Sequence, residues 1–153
     1  MQFKIVSVDS TALGGKAIRK QVILLFSNTI SAPSMNVLLY LPKTAKNPVP
    51  VFMGLNFYGN QTINDDTGIL ISTRWAMNDA NLGIVNNRAT EASRGKDASK
   101  WGVDEIIKRG YGLATAYYGD LEPDNSDGWK TGIRSTMKDE LNIAENEWGA
   151  IGA

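Results

Sequence analysis

The sequence contains neither cysteine nor histidine, and these two absences exclude several kinds of chemistry. Without cysteine the chain can form no disulfide, no thiolate nucleophile and no thiolate metal site. Without histidine it lacks the most common general base and metal ligand, so a Ser-His-Asp triad cannot be assembled within these residues and a conventional zinc site is not expected. We therefore expect no metal site in this chain, and no motif in the sequence predicts a cofactor.

Long apolar runs and an excess of one charge are also missing. The longest aliphatic run, Val22 to Phe26, is far shorter than the roughly 20 residues of a membrane helix. Lys4 and Asp9 interrupt what would be the apolar stretch of a signal peptide. The formal net charge is zero, and the basic residues of the first part of the chain are scattered along predicted strands with no aromatic residues interleaved. The sequence therefore gives no indication of nucleic-acid or membrane binding.

The N-terminal half has the pattern of β-strands. FKIVSVDS (residues 3–10) partly alternates between apolar and polar residues, and Gly14 and Gly15 mark a turn. RKQVILLFSN (19–28) and MNVLLYLP (35–42) are rich in β-forming residues and are separated by a Ser/Asn/Pro loop. These two segments predict an antiparallel pair.

A parallel unit is predicted further along the chain. VPVFMGLN is continuously apolar, which is typical of a strand covered on both faces, and residues 51–56 form its centre. SKWGVDEIIKRG has the signals of a helix that begins at Ser99 and stops before Gly110. A second buried strand follows in YGLATAYYG. Strand, helix and strand in this order predict a βαβ crossover in which residues 51–56 pair in parallel with residues 111–118.

Two other segments are less regular. Residues 62–98 show little periodicity, although STRWAMNDANLGIVNNR could hold a short helix. ENEWGAIGA predicts a helix that starts at Glu145 or Asn146 and places Trp148 and Ile151 on its inner face. The sequence stops about two turns into that helix, which is too short to be stable alone. We therefore expect residues 1–153 to be a single, truncated domain.

Three segments in sequence, GLNFYGN, KWGVDEIIKRGYGLATAYYGDLEPD and EWGAIGA, resemble the glucuronoyl esterase family of carbohydrate esterases, which are α/β-hydrolases and in part acetyl xylan esterase-like. The resemblance extends over roughly Val49 to Ala153. It implies an α/β fold in which antiparallel N-terminal strands precede a parallel βαβ unit. In this family the nucleophile elbow, the acid and the histidine follow the EWGAI helix. The resemblance therefore implies an incomplete sheet whose catalytic triad lies outside this chain.

The loop after the first parallel strand is the main candidate for a functional site. Its candidate residues are Asn56, Phe57, Tyr58, Gly59 and Asn60. Taken alone, they fit either an ordinary turn with both aromatic rings packed inward or a loop beside an active site, where the glycine permits unusual backbone angles and polar groups supply donors. The resemblance implies the second interpretation, since the oxyanion hole of α/β-hydrolases uses a backbone N–H from this loop.

Asp120 is a second candidate, at the edge of the same site. It follows the second parallel strand, and ligands bind at the carboxyl ends of such strands. The alternative is a solvated carboxylate or a capping residue.

Three other motifs do not carry a function. GYGLAT lacks the third glycine of a dinucleotide fingerprint and precedes a strand instead of following one. In PDNSDG, an EF-hand register that ends at Gly128 places Pro123 first and Arg134 twelfth, which excludes that calcium loop. The triplet Asn60-Gln61-Thr62 matches a glycosylation sequon but falls within the candidate loop.

The expected function is that of an N-terminal fragment of a serine carboxylic ester hydrolase. By resemblance, the complete enzyme would be secreted or periplasmic and would act on plant cell-wall polysaccharide, either on glucuronoyl esters that link xylan to lignin or on acetyl groups of xylan. The chain alone is expected to be inactive. The alternative is a non-catalytic carbohydrate-binding or interaction module.

The same resemblance predicts an exposed sheet edge. The strand at residues 51–56 would lie beside a nucleophile-bearing strand that this chain lacks, so its far edge should expose unpaired backbone groups. We expect the rest of the hydrolase domain, a second polypeptide or a self-associated copy to cover that edge.

Overall fold

The computed structural model describes residues 2–28, 32–142 and 144, and most of its regular structure is in two sheets. The strands are β1 (Gln2–Thr11), β2 (Ala17–Leu25), β3 (Ser34–Pro42), β4 (Val51–Asn56), β5 (Ile84–Val85), β6 (Arg88–Ala89) and β7 (Gly112–Tyr117). Five of them form a sheet in the order β1-β2-β3-β7-β4, and β5 and β6 form a separate hairpin. The five-stranded sheet is antiparallel from β1 to β7, and β7 pairs with β4 in parallel.

The helices are all short. They are α1 (Ala12–Gly15), α2 (Ala98–Trp101), α3 (Val103–Lys108), α4 (Ile133–Thr136) and α5 (Lys138–Leu141). Single 3₁₀ turns lie at Asn60–Thr62, Ala80–Leu82, Glu91–Ser93, Tyr118–Asp120 and Gly128–Lys130. None of the described helices is long and apolar enough to span a membrane. The helix predicted to start at Glu145 or Asn146 lies outside the described residues.

The predicted N-terminal strands are confirmed. β2 and β3 are antiparallel neighbours, with Arg19 opposite Tyr40. The predicted turn at Gly14 and Gly15 lies in α1, which is a tight reversal because Leu13 and both glycines have positive φ. In the segment where a short helix was possible, the structure instead has the 3₁₀ turn Ala80–Leu82 and the β5–β6 hairpin.

The parallel βαβ unit is also confirmed. Val51 lies opposite Gly112 and Asn56 opposite Tyr117. The crossover helix, however, is not the single helix that its sequence predicted. Gly102 has φ 54° and divides it into α2 and α3, a left-handed conformation that glycine adopts readily. The carboxyl ends of β4 and β7 therefore meet at one edge of the sheet.

The core lies on one face of the five-stranded sheet. Leu38, Tyr40 and Leu113 are buried there against Val103 and Ile107 of α3. Ile63 and Ile69, from the long segment between β4 and α2, complete the same cluster. β7 is buried along most of its length, as predicted.

β4 differs from the prediction that it would be covered on both faces. It is the last strand of the sheet, and Phe52, Met53 and Leu55 are 56%, 80% and 50% exposed. Phe52 faces α2 and α3, since its ring lies 5.4 Å from that of Tyr111 and Gly54 beside it approaches Trp101. Met53 and Leu55 point to the opposite side of the sheet.

The opposite side of the sheet is apolar although it is exposed, which is why the sequence of β4 predicted a strand covered on both faces. The residues that alternate with the core positions form one continuous face, here called the outer face, through the cross-strand neighbours Val22, Val37, Leu39, Met53 and Leu55. All five retain solvent exposure. The apolar sequence of β4 therefore indicates a strand built for a covered position, and the sheet is open and incomplete at β4.

Candidate functional site

The structure brings the predicted site residues to one edge of the sheet. Asn56 is the last residue of β4, and Asp120 closes the 3₁₀ turn that follows β7. β3 runs in the opposite direction, so its beginning lies at the same edge, with Val37 opposite Ala116 of β7. Three strand ends therefore contribute to this region.

Asn56 is the centre of the candidate loop. Its side chain is buried and donates through Nδ2 to Asn60 Oδ1 at 2.7 Å and to Thr115 Oγ1 at 3.1 Å. Its Oδ1 accepts from the Gly59 N–H at 2.9 Å. The Asn56 side chain thus connects the end of β4 to the far part of the loop and to β7, which fixes the path of the backbone after β4.

A second set of hydrogen bonds connects this loop to Asp120. Asn60 Nδ2 donates to the Asn36 carbonyl at 2.7 Å. Asn36 in turn donates to Asp120 Oδ2 through its backbone N–H at 2.7 Å and its Nδ2 at 3.2 Å. The two sequence candidates are therefore parts of one buried polar network, joined by a residue that the sequence did not single out.

Gly59 is the residue that permits this loop. Its φ is 100°, which side-chain-bearing residues rarely adopt, and an added Cβ would lie 2.5 Å from Gln61 Oε1. The sequon residues Asn60, Gln61 and Thr62 are all buried, which argues against glycosylation at Asn60.

The two aromatic residues of the loop have different environments. Phe57 is 66% exposed and contacts the edge of Tyr118, with ring centroids 5.2 Å apart. Tyr58 packs inward against a small cluster that includes Ile84 and Tyr117. The interpretation as an ordinary turn with inward-packed rings therefore holds for Tyr58 but not for Phe57, whose ring is exposed beside the candidate loop.

Burial governs the ionisation of Asp120. Removal from water raises the pKa of its carboxyl group above the ordinary value, while the hydrogen bonds from Asn36 and the charge of Arg74 act in the opposite direction. Asp120 is 3% exposed, so the interpretation as a solvated carboxylate is not the one the structure favours. It lines a cavity of about 290 Å³ together with Arg74, Asn36 and Asn60.

A buried ion pair holds the long segment after the loop in place. Arg19 on β2 contacts the Asp66 carboxylate, which also accepts from Tyr40 Oη at 2.7 Å. Burial opposes ionisation of Asp66, but the bonds from Tyr40, the Gly68 N–H and Arg19 outweigh it and lower the pKa of this carboxyl group. Gln21 reinforces the attachment by accepting from the Leu70 N–H at 2.7 Å.

The sequence did not reveal Asn36, Arg74 or the Arg19–Asp66 pair. Asn36 carried a weak signal, a polar residue near the start of an otherwise apolar strand. Arg74 lies in a segment without periodicity, and pairing across 47 residues has no local signature.

This region consists of buried polar groups, with Asp120 as its buried carboxyl group. Among the described residues, no three acidic, histidine or cysteine side chains lie close enough together to hold a metal ion. Within the same part of the chain, the backbone N–H groups of Tyr58 and Asn60 form no hydrogen bond and remain available as donors. Such donors suit a developing negative charge.

Comparison with known proteins gives consistent relatives. No protein-family model matches the chain. A carbohydrate esterase designated MZ0003, from an unknown prokaryotic organism, is 44% identical over 144 residues, which are 93% of this chain and 33% of that protein. The chain therefore spans about a third of the length of this curated relative.

Solved structures agree with this match. A glucuronoyl esterase from Solibacter usitatus superposes with a TM-score of 0.81 at 40% identity, over 98% of this chain and 38% of that one. A promiscuous CE15 esterase from a marine bacterial metagenome gives a TM-score of 0.79 at 41% identity, over the same shares of the two chains. The resemblance predicted from the motifs is confirmed: this chain corresponds to the N-terminal part of the CE15 glucuronoyl esterase fold.

Proposed function

We propose that this chain is the N-terminal part of a serine carboxylic ester hydrolase that acts on plant cell-wall polysaccharide esters, either glucuronoyl esters or acetyl esters of xylan. The observation that carries the proposal is 40% or higher identity, over nearly all of the chain, to proteins named as carbohydrate and glucuronoyl esterases. The candidate loop lies at the carboxyl ends of parallel strands, where ligands of such sheets bind. Secretion or export to the periplasm fits a polymeric substrate outside the cell.

The reaction would be acyl transfer through a serine located elsewhere in the protein. Its hydroxyl oxygen attacks the ester carbonyl while a base takes the proton, and the tetrahedral intermediate then expels the alcohol, which receives that proton. Water attacks the acyl-enzyme, releases the acid and restores the serine.

In this mechanism the chain provides scaffold and environment. β4 and β7 support the site, Asn56 and Gly59 shape the loop, and the unpaired N–H groups of Tyr58 and Asn60 are the candidate donors to the carbonyl oxygen. The chain alone, which has no histidine, is expected to be inactive. The remainder of the hydrolase domain is the partner expected at the open edge of β4.

Ester hydrolysis by the product of the whole gene, beside this chain alone, tests the proposal. We expect the gene product to release acid from a benzyl ester of glucuronic acid or acetate from acetylated xylan, and to react covalently with a serine-directed fluorophosphonate. We expect this chain to do neither. A gene product that binds xylan but neither hydrolyses an ester nor reacts with the fluorophosphonate would contradict the proposal and support the non-catalytic module.

A further inference from the structure

The cavity beside Asp120 is next to the candidate loop but is not part of the ester chemistry described above. It has a volume of about 290 Å³. The start of β3 and the end of β7 border it on one side, and residues 70–74 border it on the other. Asn60 belongs to both the loop and the cavity wall. We call this space the Asp120 cavity.

Asp120 has unused hydrogen-bonding capacity inside this cavity. Both bonds from Asn36 end on Oδ2. Within the described part of the chain, Oδ1 accepts no hydrogen bond, although the residue is 3% exposed. Among the described residues, the one buried side-chain polar atom without a partner is Arg19 Nε, so Asp120 Oδ1 is open to the cavity space and can accept from a bound donor.

Arg74 supplies the complementary group. Its side chain lines the same cavity, and its only hydrogen bond among the described residues is a long one of 3.4 Å to Ser34 Oγ. It is near enough to favour the charged form of Asp120, yet the two side chains form no ion pair within the part of the chain that the structure describes. A donor and an acceptor thus face one space without contacting each other.

The rest of the wall and the balance of charge define the occupant. Leu70, Ile71 and Tyr117 contribute apolar surface. One acid and one base make the cavity formally neutral, so Arg74 disfavours a cation and Asp120 disfavours an anion. A neutral ring with hydroxyl groups at its rim and C–H groups on its faces fits the acceptor Asp120, the donor Arg74 and the apolar part of the wall.

We propose that the Asp120 cavity binds one neutral monosaccharide unit of the polysaccharide, with Asp120 Oδ1 accepting from one hydroxyl and the Arg74 guanidinium donating to another. The choice of a sugar rests on the proposed function. The site itself is a separate claim, because it positions the polymer beside the ester without reacting with it.

Ligand-observed NMR on the chain tests this site directly, and it works on monomeric and self-associated protein alike. The probes are xylose and xylobiose, with glucuronate as the anionic comparison. We expect saturable binding of the neutral sugars, and at least about tenfold weaker binding in Asp120→Asn and in Arg74→Gln, since each loses one hydrogen bond to a charged group. The matched controls Asp127→Asn and Arg88→Gln change exposed residues away from the cavity and should bind as the unmodified chain does.

The effect of burial on the charge of Asp120 indicates whether the Asp120→Asn variant should fold. Because burial raises its pKa above 3.8, the folded state loses stability as the pH rises from that value through the raised one. Asparagine avoids this penalty and can still accept from Asn36, so Asp120→Asn should fold. A measurement without substitution is the shift of the Asn36 side-chain amide on adding xylobiose, compared with exposed Asn47.

Each outcome decides for or against the site. Four results would each overturn the proposal: no saturable binding, binding by Asp120→Asn or Arg74→Gln as tight as that of the unmodified chain, an Asn36 amide signal that does not shift, or tighter binding of glucuronate than of the neutral sugars. Ester hydrolysis by the gene product without sugar binding here would reject the site alone. Sugar binding here without ester hydrolysis would reject the proposed function alone.

Discussion

In solution, this chain is expected to self-associate through β4, and Met53→Lys is expected to disperse it. β4 is the last strand of the sheet, and its apolar side chains are exposed on both sides. A long apolar edge with unpaired backbone groups is a template for pairing with another chain, and an edge lysine is a common natural block. Met53 is 80% exposed, so the lysine can be accommodated without repacking.

Light scattering coupled to size-exclusion chromatography measures this directly. The unmodified chain should elute above its 16.7 kDa mass, and Met53→Lys should raise the concentration at which larger species form at least about tenfold. Met77→Lys is the matched control, because Met77 is also exposed but lies in the long segment away from the sheet edge. A monodisperse monomer of the unmodified chain with a cooperative melting transition would count against an open edge.

β4 also shows what sequence patterns could and could not reveal. Its continuous apolar residues correctly predicted a strand, and the order of strand, helix and strand correctly predicted its parallel pairing with β7. The pattern could not reveal that no described residue covers the outer side of β4, since a strand has the same apolar sequence whether or not its neighbours are present. The outer face, made from Val22, Val37 and Leu39 as well as β4, has the same origin.

The candidate site was predictable only in part. The strand–loop boundary at Asn56 and the glycine three residues later gave the loop its place, and the family resemblance gave it a function. Asn36 and Arg74 come from segments far away in sequence, and their contributions depend on the antiparallel pairing of β3 with β7 and on the attachment of residues 62–98 to the sheet. The break at Gly102 was missed because a helix pattern continues across a single glycine.

Gly59→Ala in the product of the whole gene is expected to lower kcat for the ester about a hundredfold. The change forces a side chain into a backbone conformation with φ 100° and into contact with Gln61, which displaces the adjacent N–H groups. Loss of one oxyanion donor lowers kcat by about 10²–10³. The strain also reduces stability by about 1–3 kcal/mol, which unfolding in urea can measure.

Gly15→Ala is the matched control for backbone strain. Gly15 has a similarly positive φ of 84°, but an added Cβ would meet nothing within 4 Å, and the residue lies in the α1 turn at the far end of β2. This variant should lose stability without a change in kcat. If Gly59→Ala remains folded and keeps the full kcat, the loop is not part of the reacting site.

Amide hydrogen exchange of β4 in the product of the whole gene tests the central claim, that β4 is an inner strand of a larger sheet. In a paired inner strand, the amides directed toward β7 and those directed away from it are both hydrogen-bonded, so peptides spanning Val51–Asn56 should exchange slowly at every amide. If the amides directed away from β7 exchange within seconds in that protein, β4 is a true edge strand and the account is wrong.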